Sequence, residues 1–94
     1  MTLAIRHEPE ARRFVAAVGG KSAYITYRQL DGRILELLHT YVPREFRGSG
    51  VASQLTARAL EYARELGCRV VPSCPFVAAY IERHPEYREL RVGP

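Results

Sequence analysis

The chain has 94 residues and a mass of 10.7 kDa, with 47% of the residues hydrophobic and 26% charged. That is one domain with a modest core, burying about 60–65% of its unfolded surface, and it excludes folds of about 150 residues or more, such as a complete dinucleotide-binding sheet or an α/β barrel. A formal charge of +4, from 14 basic and 10 acidic residues, favours an anionic partner: nucleic acid, a phosphorylated cofactor or an acidic surface.

No apolar run approaches the roughly 18 residues of a membrane span, and Met1–Glu8 holds no apolar stretch long enough for a signal peptide. A cytoplasmic protein forming a single domain over residues 1–94 is the expectation. Apart from Lys21 the basic residues are arginines, scattered without a basic tail or an aromatic RNA-binding motif, which speaks against nucleic acid. Cys68 and Cys74 lie too far apart for a Cys-x-x-Cys pair, and a cytoplasmic chain rarely keeps a disulfide.

Along the chain, Arg13–Val18 reads as a strand that Gly19-Gly20-Lys21 turns back onto a partner over Ala23–Arg28. Asp31-Gly32 marks a hairpin, since both residues tolerate positive φ. The next strand, Ile34–Val42, carries Ile34, Leu35, Leu37 and Leu38, which predicts a central strand covered on both faces. Pro43 stops it. Val51, Leu55, Ala59, Tyr62 and Leu66 then recur at helical spacing as one apolar stripe, closed by Gly67 in a left-handed cap. Arg69–Val71 is a short strand stopped by Pro72. A second helix fits Phe76–Arg83, ending before Pro85, which keeps His84 out of helical angles. The order is β-β-β-α-β-α. This is an α+β (α/β) class fold, an antiparallel meander joined to a parallel βαβ unit by a right-handed crossover.

Arg47-Gly48-Ser49-Gly50-Val51-Ala52 stands between the apolar strand and the long helix. A helix N-terminus offers four unpaired amides and about half a unit of positive dipole charge. Glycines there let the backbone approach a phosphate, and Arg47 would add a charge-assisted bond. The same pattern, taken alone, also describes a simple turn with a helix cap. A Walker loop is excluded because no Gly-Lys-Ser/Thr opens the helix. The dinucleotide fingerprint fails too: Ser53 stands at its third glycine, and the next strand ends in Val71-Pro72-Ser73 without an acidic residue.

What remains is similar to the central motif of the Gcn5-related N-acetyltransferases, Gln/Arg-x-x-Gly-x-Gly/Ala, with Arg47, Gly50 and Ala52 at the three fixed positions. His39-Thr40-Tyr41-Val42-Pro43, Val71-Pro72-Ser73-Cys74-Pro75-Phe76-Val77 and His84-Pro85-Glu86-Tyr87 extend the resemblance to the small single-domain branch of that superfamily, over nearly the whole chain. The resemblance implies a minimal acyl-CoA N-acyltransferase fold, acetyl-coenzyme A as cofactor and an amine as acceptor, on a protein or a small molecule. It places the cofactor's pyrophosphate on Arg47, Gly48, Ser49, Gly50, Val51 and Ala52. The pantetheine arm would pair with the backbone of Tyr41 and Val42 where the two parallel strands splay, and an amide there would polarise the thioester carbonyl.

By the same resemblance Cys74 lies close to the cofactor sulfur, either as a nucleophile or as lining of the thioester pocket. The tyrosine acid of many members falls on Ile81 here, with Tyr80 one residue earlier and about 100° round the helix. Tyr80 then packs beside the cofactor or serves as the acid. His39 is either a hydrogen-bonded core histidine or the base that deprotonates the amine. Phe76 is core or pantetheine lining, Cys68 is a structural thiol, and His84 is a helix-terminal residue favoured by the dipole. His39, Cys74 and His84 lack ligand spacing, so no metal is expected. Longer relatives build the acceptor site from helices and strands that this chain lacks. A coenzyme A-binding module with little or no catalysis is therefore the alternative reading, and a basic nucleic-acid adaptor a third.

Overall fold

The computed structural model describes residues 3–92; Met1, Thr2, Gly93 and Pro94 of the 1–94 domain lie outside the described residues. Five strands form one sheet in the order β1-β2-β3-β4-β5: β1 (Ile5–Glu8), β2 (Arg13–Val18), β3 (Lys21–Asp31), β4 (Ile34–Tyr41) and β5 (Arg69–Pro72). The first four pair antiparallel, and β4 pairs with β5 in parallel. Helix α1 (Val51–Leu66) makes the crossover between them, and α2 (Pro75–Arg83) follows β5. None of the helices among the described residues is long and apolar enough to cross a membrane. The meander and the parallel unit are those the sequence predicts, with one strand more.

That extra strand, β1, escapes sequence reading because its alternation is disguised. Ile5 and His7 pair opposite Ala16 and Phe14, on the side that faces the helices, so an imidazole occupies an inward position. His7 earns its burial through aromatic contact. Its ring stacks on Phe14 at 4.3 Å between centroids, meets Tyr62 of α1 edge-on, and bonds the Tyr27 hydroxyl at 2.5 Å.

Register sorts the remaining side chains. Phe14 with Ile25, Ala16 with Ala23 and Tyr27 with Leu37 face the helices and are buried. Arg13 with Thr26, Tyr24 with Tyr41 and Arg28 with Glu36 face away. The expectation of a strand covered on both faces does not hold for β4. Leu35 and Leu37 are fully buried, whereas His39 and Tyr41 are exposed on a face that neither α1 nor α2 covers. The apolar doublet Leu37-Leu38 instead marks a bulge: Thr26 pairs with His39 and Tyr27 with Leu37, leaving Leu38 as the extra residue.

Two further details depart from expectation. The β3–β4 hairpin forms, but Gly32 lacks positive φ; the Asp31 carboxylate accepts the Arg33 N–H at 2.7 Å and closes the turn as an Asx motif. On α1 the buried stripe is Val51, Leu55, Thr56, Ala59, Leu60 and Ala63, while Leu66 is 47% exposed. Steps of four residues overrun the helical period of 3.6, so the core contact drifts back to Leu60 and Ala63. Gly67 ends the helix at φ 70°, as the sequence predicts, and His84 leaves helical angles after α2.

Candidate functional site

The site begins where the parallel pair ends. The last β4–β5 pairing is Leu37 with Pro72, and β4 continues past β5 to Tyr41, still paired with β3. The chain after β5 turns through Ser73, the Cys74 N–H bonds the Leu37 carbonyl at 3.1 Å, and α2 starts with Cys74 as its N-cap. The two strands are thereby separated from Leu38 onward.

Beyond Pro43 a short 3-10 turn, Arg44–Phe46, leads into the glycine segment. Gly48 at φ 84° and Gly50 at φ 90° hold left-handed backbone, with no atom within 4 Å of where a Cβ would stand. Gly50 is the N-cap of α1 and supplies no side chain to cap it. Its carbonyl accepts the Gln54 N–H at 3.1 Å, so the amides of Val51, Ala52 and Ser53 precede the first helical bond. A groove of about 530 Å³ runs from this helix start to the separated strands.

Of the sequence-predicted residues, Tyr41, Val42, Arg47, Gly48, Gly50, Ala52 and Phe76 line the groove. Ser49 and Val51 do not: the Ser49 hydroxyl donates to the Phe46 carbonyl, and the Val51 side chain is 1% exposed in the core. Arg47 has a fixed orientation, since its Nε donates to the Val42 carbonyl at 3.0 Å. That bond uses one of five guanidinium N–H groups. It also occupies a backbone carbonyl that sequence reasoning assigns to the cofactor arm.

Cys74 is a free thiol, 7% exposed, standing behind the groove wall. Thr40 is the wall, with its Oγ1 3.6 Å from the Cys74 Sγ. His39 is brought to neither. Paired opposite Thr26, it lies exposed on the face away from the helices, so it is not a core histidine and does not meet Cys74. Tyr80 is buried but turned toward the C-terminal turn, stacked on His84 at 3.9 Å and tilted against Tyr87 at 6.1 Å. Burial, then the nearby Glu86 carboxylate, push its hydroxyl pKa up. Ile81, at the position of the usual acid, is fully buried. Cys68 is buried at the α1–β5 connection, next to the Gly32 carbonyl and remote from the groove, as a structural thiol should be.

Three groove residues were not predicted: Thr40, Phe46 and Ser53. For Thr40 the signal was strand alternation, which puts it on the helix side if His39 faces away. Ser53 stands in the first helical turn beside the amides. No sequence signal marks Phe46, whose ring is held by contact with the β2–β3 turn at Gly19.

Nearby charges are locally paired. Lys21 and Glu45 meet at 2.6 Å by the 3-10 turn, and the lysine's hydrogen bond holds the carboxyl below the ordinary range. On the far face, Glu36 accepts from Ser73 and Arg28, which lower its pKa in that order.

Residues 13–90 match the family described as GCN5-related N-acetyl-transferase. The chain is 29% identical over 83 residues to Protein NATD1 of Homo sapiens and of Gallus gallus, covering 86% of this chain and 74% and 76% of those proteins. An NMR structure of a GCN5-like protein from Staphylococcus aureus superposes with a TM-score of 0.77 at 29% identity, over 98% of this chain and 90% of that one. Ard1 from Thermoplasma volcanium matches in fold, with a TM-score of 0.61 at 23% identity over 81% of this chain and 55% of its own.

Proposed function

The chain belongs to the GCN5-related N-acetyltransferase family, and on that footing we propose that it binds acetyl-coenzyme A along the groove and transfers the acetyl group to an amine. One observation carries this reading: a single groove joins the uncapped start of α1 to the gap between β4 and β5. Its donor set suits a pyrophosphate, with the helix-start residues Ala52 and Ser53 and the Arg47 guanidinium on the groove. Its walls suit an apolar arm, with Val42, Phe46 and Phe76 along the way.

Acetyl-coenzyme A supplies the activated acetyl as a thioester. The chain supplies position and charge. Gly48 and Gly50 keep side chains clear of the amides, and Arg47 adds positive charge while pinned to Val42. With the Val42 carbonyl engaged by Arg47, strand-like pairing to the arm falls mainly to the backbone of Tyr41 and to the Val42 N–H. Cys74 reaches the groove through Thr40. His39 lies exposed on the far face and outside the groove, which does not favour it as the base for an amine attacking there.

The alternative reading, a coenzyme A-binding module with little or no catalysis, draws on Ile81 and Tyr80. The first is buried apolar at the acid position, and the second points to His84 and Tyr87. Calorimetry with coenzyme A and with a duplex oligonucleotide tests the shared premise; binding of the first and not the second is expected. An acetyl-release assay across polyamines, amino acids and basic peptides then separates enzyme from binder, and turnover above the no-acceptor rate is the result expected for an enzyme.

A further inference from the structure

Thr40 and Cys74 come from different elements, β4 and the start of α2, yet their Oγ1 and Sγ lie 3.6 Å apart. Thr40 lines the groove and Cys74 does not. Cys74 otherwise belongs to the buried hydrophobic core. Charged and titratable groups of the surrounding elements point elsewhere. Glu36 and His39 of β4 face away from the helices, with Glu36 held by Arg28 and Ser73. Arg47 bonds the Val42 carbonyl, and Tyr80 of α2 stacks on His84.

We propose that Thr40 is the positioning residue for the Cys74 thiol, coupling the proton on the sulfur to the polarity that the groove wall presents. Two arrangements of protons satisfy the pair. With the thiol protonated, S–H donates to Oγ1 and the Thr40 O–H is free to point into the groove as a donor. With the thiolate, Thr40 O–H turns to donate to sulfur, and oxygen lone pairs face the groove instead. The α2 N-terminus adds its dipole, but Cys74 makes no side-chain cap bond there. The Thr40 hydroxyl is therefore the side-chain partner of the thiolate, and a hydrogen bond to a charged group is worth about twice a neutral one. The meaning of this for acetyl transfer rests on the cofactor reading of the groove; the coupling itself does not.

The test follows alkylation of Cys74 by iodoacetamide across about pH 6 to 10, the range around a free thiol's ordinary pKa. Peptide mass mapping separates Cys74 from Cys68. Thr40→Val keeps the shape and removes the hydroxyl, and should move the pH midpoint up by about one unit, the effect of losing one charge-assisted bond. Thr40→Ser should restore the wild-type midpoint, which a purely packing role would not require. Thr40→Ala provides the same reading if the valine variant does not fold. Coinciding profiles for wild type and the variants lacking the hydroxyl would overturn the proposal. In a parallel arm, acetyl-coenzyme A should slow alkylation of Cys74 in wild type and Thr40→Ser; absence of that protection would count against the cofactor reading and leave the pH shift to judge Thr40.

Discussion

Arg47 combines two tasks in one guanidinium: its Nε fixes the turn to the Val42 carbonyl, and its remaining N–H groups and charge border the groove. Replacing it with alanine removes a charge-assisted bond, and the affinity for coenzyme A measured by calorimetry should fall about 10- to 100-fold. Arg47→Lys keeps the charge but not the fork, and should lie between the two. At this scale the glycine segment was legible because Arg47, Gly50 and Ala52 match the family's central motif, whereas the glycines alone fit a simple capped turn equally well. His39 and Thr40 were harder to apportion. They are neighbours with opposite orientations, and sequence reasoning chose the imidazole by its chemistry; only the register with Thr26 shows that Thr40, not His39, is on the groove side.

Among the elements, the β2–β3 turn has the least expected reach. Gly19 sits at φ 56°, and a Cβ there would meet the Phe46 ring at 2.3 Å, so the turn abuts a groove wall. Gly20 shares the left-handed backbone, at φ 79°, with open space around it. Alanine at Gly20 should therefore cost only the backbone strain, about 1 kcal/mol. Alanine at Gly19 should cost more in denaturant unfolding and also weaken coenzyme A binding, because Phe46 has to move; equal effects of the two substitutions would sink this account. Strand β1 makes a second prediction through His7. Burial, then the Arg58 charge, lower its pKa from 6.5, so the fold favours the neutral ring. The stability this confers is complete above about pH 6.5 and is lost as pH falls from there toward the lowered folded value. Tm measured against pH should fall more steeply below about pH 6.5 in wild type than in His7→Gln. The same imidazole hid β1 from the sequence, whereas α1 and its glycine cap were plain from periodicity. The leucines of β4 misled because a bulge places Leu37 and Leu38 side by side.

The whole molecule measures 36 × 30 × 19 Å, and its smallest dimension is that of two layers, one sheet and one tier of helices. In so thin a body, occupancy of the groove should register globally. Coenzyme A at about 100 times its Kd stabilises by about 2.7 kcal/mol, which for a domain near 100 residues means a rise in Tm on the order of 10 °C. A scan with and without coenzyme A checks this directly. The architecture was readable because turn residues, proline stops and helical spacing agree with one another along the chain. The missing cover over the far face was not, because apolar strand composition reports burial without saying which neighbour provides it.

From Leu38 to Tyr41, past its last pairing with β5, a single strand stands between the groove and the open side of the sheet. It works as a septum one residue thick: Thr40 borders the groove, His39 lies outside, and Tyr41, on the outer face, still reaches the groove at the strand end. Changes at His39 therefore leave the groove wall at Thr40 chemically intact. A substitution at His39 should leave coenzyme A binding unchanged in calorimetry, which makes the outer side of this short stretch of β4 a natural place to engineer the protein.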